Sequence, residues 1–155
     1  AKGLCYSLDV ALIPVDTLQV LCATMIAQTL VSENCLLCPM LDARRMEVYT
    51  AMYQPTTLKK ETSIQAKVVD QTTFAPALAE RQIYFFGNGA DKCKQVILSP
   101  NAYFVDNIVP HAQYMGQLAE DTALERALDA KQMAYYEPFY LKEFVPAPSH
   151  IKGLK

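Results

Sequence analysis

The sequence predicts an α/β domain: a mixed five-stranded sheet with helices on both faces. Three observations carry this expectation. Strand-like stretches at residues 35–42, 46–53 and 61–69 follow one another through short polar connections, as in an antiparallel meander. From residue 70 the pattern changes, and short helical stretches alternate with apolar strand-like ones at 82–86 and 102–105. The composition can fill the resulting core, since 52% of the 155 residues are hydrophobic, 19% are charged and the net charge is −2. A chain of this size buries roughly two-thirds of its unfolded surface. The same figures exclude intrinsic disorder. No apolar run approaches the ~20 residues that span a bilayer. A sequence pI near 5.7 argues against a free-standing nucleic-acid binder, which needs a basic face.

Taken in order, AKGLCYSL reads as the last two turns of a helix. Residues 8–15 (LDVALIPV) are apolar and end near Pro14, which predicts a short edge or terminal strand. Asp16 and Thr17 then start a helix, with Leu18, Leu21, Cys22, Met25, Ile26 and Leu30 at helical spacing. The apolar run from Cys35 to Asp42 is a buried strand, turned by Ala43-Arg44-Arg45 into MEVYTAMY, which is rich in β-branched and aromatic residues. Pro55 and two lysines make 54–60 a loop before the third strand. Asp70 or Thr72 can cap a short helix through Glu80, followed by the strand QIYFF and a Gly87-Asn88-Gly89 turn. Residues 90–98 read as a short helix and AYFV as the fifth strand. A longer helix is expected over roughly 110–128, with Pro110 in its first turn and His111, Met115, Leu118, Ala119 and Thr122 on one side. Three prolines make 130–155 an extended tail, with a further strand expected at 135–141.

The order β-β-β-α-β-α-β-α is that of a ribonuclease-H-like lobe, the unit that actin-like ATPases use twice. The organisation expected from sequence is therefore a remnant of a preceding lobe at 1–15, a connecting helix at 16–34, the lobe itself at 35–141 and a tail at 142–155. Five cysteines, an odd number mostly in apolar runs, and no secretory leader pattern read as a cytoplasmic protein.

Chemistry is sparse. A ribonuclease-H nuclease needs carboxylates converging on two metal ions, and Asp42, Glu80, Asp91 and Asp106 lie near element ends. Arg44 and Arg45 follow Asp42 closely, however, and no second strand carboxylate opposes it. An actin-like lobe brings small residues of its first hairpin to phosphate, whereas this hairpin carries arginines. Gly87-Asn88-Gly89-Ala90 is the better nucleotide candidate, so Asp42, Gly87, Asn88 and Gly89 form the candidate cofactor-binding set for ATP or ADP. The bland reading, glycine for backbone reasons alone, is favoured over it. Cys35-x-x-Cys38 lacks the second pair a zinc site needs, and positions i and i+3 of a strand face opposite ways, so both are expected in the core. His111 and His150 are the two histidines; four residues after His111 stands Met115, so no helical metal pair forms. No nucleophile–base set can be assembled, and no catalytic or metal residue is assigned. Glu120, Asp121, Glu125 and Asp129 read as a solvated helix face.

Together AKGLCYSLDVALIPVDTLQVLC, PMLDARRMEVYTAMY, IYFFGNGADK and EPFYLKEF resemble the TsaB (YeaZ) family, glycoprotease-like proteins of tRNA threonylcarbamoyladenosine synthesis. The resemblance runs over essentially the whole chain and is to the second half of such proteins. It implies two ribonuclease-H-like lobes and a non-catalytic scaffold lacking the metal-binding histidine pair of the related TsaD. It also implies TsaD and TsaE as partners, with tRNA met only through the complex. Leu4, Cys5 and Leu8 are the candidate interface residues, and with Val10 they form an apolar patch on which the chain is expected to self-associate, as a homodimer for instance. The rival expectation is an actin-like-fold ATPase or a glycoprotease-like metallopeptidase.

Overall fold

The computed structural model describes residues 1–142. Its sheet comprises β1 (Leu36–Asp42), β2 (Glu47–Thr50), β3 (Gln65–Val68), β4 (Ile83–Phe86) and β5 (Ala102–Val105), in the order β3-β2-β1-β4-β5. The first three strands pair antiparallel, while β1–β4 and β4–β5 pair in parallel. The helices are α1 (Lys2–Leu8), α2 (Thr17–Gln28), α3 (Ala75–Glu80), α4 (Met115–Arg126) and α5 (Ala130–Tyr135). This is the mixed sheet of a ribonuclease-H-like lobe that the element order predicts.

Strand alternation divides the core into two layers. Leu36, Cys38 and Met40 of β1 point to one face, where Phe85 of β4 and Phe74 and Leu78 at α3 cover them. Cys35 and Leu37 point to the other, against Leu18, Leu21, Cys22 and Met25 of α2. The two cysteines of the C-x-x-C pair thus enter different layers, as their spacing requires. Each fully buried aliphatic or Met side chain on α2 contributes roughly 1.5–3 kcal/mol. Helical spacing holds as far as Ile26, which packs against this layer, but Leu30 lies past the end of the helix and is fully exposed.

Pro39 shapes the centre of the sheet. Proline has no N–H for the ladder, so the regular β1–β2 pairing covers only Met40–Asp42 and resumes as a single bridge between Leu37 and Tyr53. Across the gap, the Thr50 hydroxyl donates to the Pro39 carbonyl at 2.8 Å, while the Met52 amide donates to Thr62 Oγ1 at 2.9 Å, in the segment leading into β3. A hydroxyl has one proton to give. The Cys38 thiol, 3.2 Å from Thr50 Oγ1, is therefore the donor in that contact.

The structure corrects several expectations. Residues 8–15 form no strand; Leu12 makes one isolated bridge to Leu128, because no described strand lies alongside to extend the pairing. The segment 90–98 holds a 3-10 turn at Asp91–Cys93 in place of an α-helix. Residues 135–141 form no strand either, since α5, capped by a reciprocal Asp129–Gln132 box, runs through Tyr135. The helix expected from 110 begins as a 3-10 turn at Ala112–Tyr114 and becomes α-helical at Met115. His150 and the rest of the tail beyond Lys142 lie outside the described residues. Among the described residues no helix is long and apolar enough to cross a membrane.

The thiols report on this packing. Cys22, Cys35, Cys38 and Cys93 are buried, and burial pushes the Cys38 thiol up to about 12. Cys5 on α1 is half-exposed. With an aromatic disulfide reagent at pH 8, one thiol per folded chain is expected to react readily and four only after unfolding. Release of two or more equivalents before the unfolding transition contradicts the buried assignment.

Candidate functional site

Parallel pairing of β1 with β4, from Leu36↔Ile83 to Pro39↔Phe86, brings the carboxyl ends of the two strands side by side. In open α/β sheets this edge is where ligands bind. Two turns leave it: the hairpin after Asp42, and Gly87-Asn88-Gly89-Ala90. They are joined directly, because the Asp42 amide donates to Asn88 Oδ1 at 3.0 Å. The sequence-predicted set Asp42, Gly87, Asn88 and Gly89 is therefore contiguous.

What the glycines do is visible from their surroundings. Gly87 has φ +96°, and a Cβ there would stand 2.5 Å from the Met40 carbonyl oxygen. A Cβ on Gly89 would meet the Asp42 amide and the Leu41 carbonyl carbon, each at 3.0 Å. Both glycines are filled in by the backbone of β1. The Gly89 amide also donates to the Met40 carbonyl at 3.0 Å, so both glycines serve close packing of the turn against the strand.

Asp42 is exposed and ion-paired to Lys92, which also donates to the Glu47 carbonyl at 2.7 Å. The Asp42 Oδ1 further accepts the Arg44 amide at 3.0 Å. Lys92, and then the Arg44 amide, hold the Asp42 carboxyl below the usual carboxylate range. Beside it Lys94 pairs with Asp91 at 2.7 Å and with Asp106. Glu80 is exposed at the end of α3. Three of the four carboxylates considered for metal chemistry are thus held by lysines, and among the described residues no three His, Cys, Asp or Glu side chains converge as a metal site. His111 is exposed, edge-on to Tyr114 with ring centroids 6.5 Å apart.

Sequence reasoning passed over Lys92 and Lys142, the latter holding Glu47 at 2.5 and 2.6 Å. A lysine two residues after a tight strand–turn is the one local signal for the first. Nothing local marks the second, which pairs across 95 residues. The candidate interface residues lie elsewhere: Leu4 and Leu8 are exposed and Cys5 half-buried on α1, a helix that contacts α5. A hollow of about 550 Å³ on the α2 side is lined by Leu41, Tyr49, Ile64, Met115 and Tyr140, among others, and by none of the predicted site residues.

Asp42 provides a pH readout. Its folded value is depressed, so its contribution to stability is complete above the ordinary carboxylate range and is lost as pH falls through the lowered value. A carbon-detected titration should place the Asp42 midpoint below that of ordinary carboxylates, and Lys92→Met should move it up. An unmoved midpoint in the variant contradicts the pairing.

The sheet order and the paired turns at its carboxyl edge define a ribonuclease-H-like lobe whose edge carboxylates are neutralised internally. The chain belongs to the family described as TsaD: tRNA N6-adenosine threonylcarbamoyltransferase, whose model matches residues 1–145. Among solved structures it is similar to an uncharacterized Pseudomonas aeruginosa protein with similarity to peptidase YeaZ, at TM-score 0.73 and 22% identity. That match covers 91% of this chain and 63% of the other. It is also similar to YeaZ from Pseudomonas aeruginosa, at TM-score 0.68 and 23% identity, covering 90% and 64%. These likenesses establish the shared fold. The chain spans just under two-thirds of the length of those YeaZ proteins. No curated protein matches it.

Proposed function

We propose that this chain is part of a non-catalytic partner subunit of the assembly that makes threonylcarbamoyladenosine next to the anticodon of tRNA. In this reading TsaD is its catalytic partner, TsaE a further component, and tRNA is met only through the complex. Family membership and the YeaZ-like fold support the pathway. The observation that carries the non-catalytic role is the engagement of Asp42, Asp91 and Asp106 by Lys92 and Lys94. Metal binding and proton transfer need carboxylates that are free to act, and a lysine salt-bridged to each works against both.

The reading includes no cofactor held by this lobe, because the Gly87 and Gly89 positions are packed against β1. The full-length protein containing this chain is expected to form no threonylcarbamoyladenosine when TsaD is omitted, and to support formation when TsaD and TsaE are restored. Product formed by this protein alone overturns the assignment.

The exposed Leu4, Leu8 and Val10 side chains are proposed as an association surface. Light scattering of the chain at high concentration is expected to show self-association, and a strict monomer contradicts that part. The rival enzyme reading rests on the Gly-Asn-Gly turn at the ligand edge. Calorimetry of the full-length protein with ATP and Mg²⁺ separates the two, since saturable tight binding favours an ATPase.

A further inference from the structure

The tip of the β1–β2 hairpin carries two adjacent arginines whose backbone is left-handed, with φ 70° at Arg44 and 49° at Arg45. Residues with a Cβ are uncommon there, and Gly or Asn would fit at lower cost. Both side chains are exposed, and among the described residues neither has an ion-pair partner. Their natural partners would be the two carboxylates of the same hairpin. Those are taken: Lys92 holds Asp42 from 50 residues away, and Lys142 holds Glu47 from 95 residues away. Two lysines brought in by the tertiary fold thus cancel the hairpin acids and leave a doubly positive knob on a chain of net charge −2.

We propose that Arg44 and Arg45 are a recognition knob for the carboxylates of an acidic segment on a protein partner. Guanidinium groups pair with carboxylates in a bidentate fork, which rewards arginine over lysine at this position. RNA is the less suitable occupant. Backbone recognition needs a row of free cations along successive phosphates, and the nearby Lys92, Lys94 and Lys142 are all spent on internal acids. The inference applies to any acidic protein partner, so its failure leaves the proposed function standing.

The test uses the complete chain with N-acetyl-hexaglutamate, a hexaglutamine control and an oligouridylate of matching charge, titrated at low salt and followed through the backbone amide signals of the hairpin, which wild type and variant both carry. The informative variant is Arg44→Asn/Arg45→Gly, which suits the left-handed backbone and should fold at least as stably. Hexaglutamate binding by the wild-type chain, weakened at least tenfold in the variant without a lowered Tm, is the expected result. Absence of wild-type binding overturns the proposal, as does equal affinity in the variant. So does an oligouridylate that binds more tightly than the peptide through the same two residues.

Discussion

Gly87→Ala is expected to destabilise the chain by roughly 2–6 kcal/mol in urea unfolding, an outsized effect for one added methyl group. Two costs combine. The residue has φ +96°, outside the region open to L side chains, and holding a Cβ there costs on the order of 1–3 kcal/mol. The new methyl would also stand 2.5 Å from the Met40 carbonyl oxygen. That atom belongs to the central strand, so relief requires β1 and the turn after β4 to move apart; overpacking of this kind costs about 1–3 kcal/mol. Gly116→Ala is the control. Nothing lies within 4 Å of its Cβ position in α4, and alanine in place of glycine there should leave stability unchanged or raise it by about 0.5–1 kcal/mol. Equal effects at the two positions contradict the packing role assigned to Gly87.

Phe85→Ala should cost about 3–5 kcal/mol, the range for removing a large buried aromatic. Phe85 is fully buried on β4 and meets two other rings. Phe74 approaches edge-on and Phe104 is stacked, each with centroids 5.1 Å away. Truncation loses its buried area and both ring contacts and opens a cavity between the sheet and α3. Against a total stability of about 5–15 kcal/mol, a measurable unfolded population in mild urea is expected. A loss below about 1 kcal/mol would mean that this layer is not the packed core described here.

The sheet was legible because its signals are local and periodic. MEVYTAMY, QIYFF and AYFV each carry the β-branched or aromatic residues a strand wants, and C-x-x-C gave the two faces by counting alone. The β1–β2 ladder is shorter than the two strand-like runs that form it, because Pro39 interrupts it from the middle of an apolar run and its effect falls on the partner strand. Residues 8–15 failed for a different reason. An apolar run needs a neighbour to become a strand, and neighbours are a property of the whole fold. At the candidate site, the sequence placed Asp42 and the glycine turn at element ends, and parallel pairing joins them. It said nothing of which lysine holds which acid, since Lys92 and Lys142 reach Asp42 and Glu47 over 50 and 95 residues.

The claim that this lobe supplies structure and not reacting groups is most directly tested by neutralising its edge. In the full-length protein, Asp42→Asn, Asp91→Asn and Asp106→Asn together, assayed with TsaD and TsaE, should leave the initial rate of threonylcarbamoyladenosine formation within about twofold. The exposed ion pairs they remove each contribute little to stability. A rate lowered a hundredfold or more, in a complex that still assembles, would place these carboxylates in the chemistry.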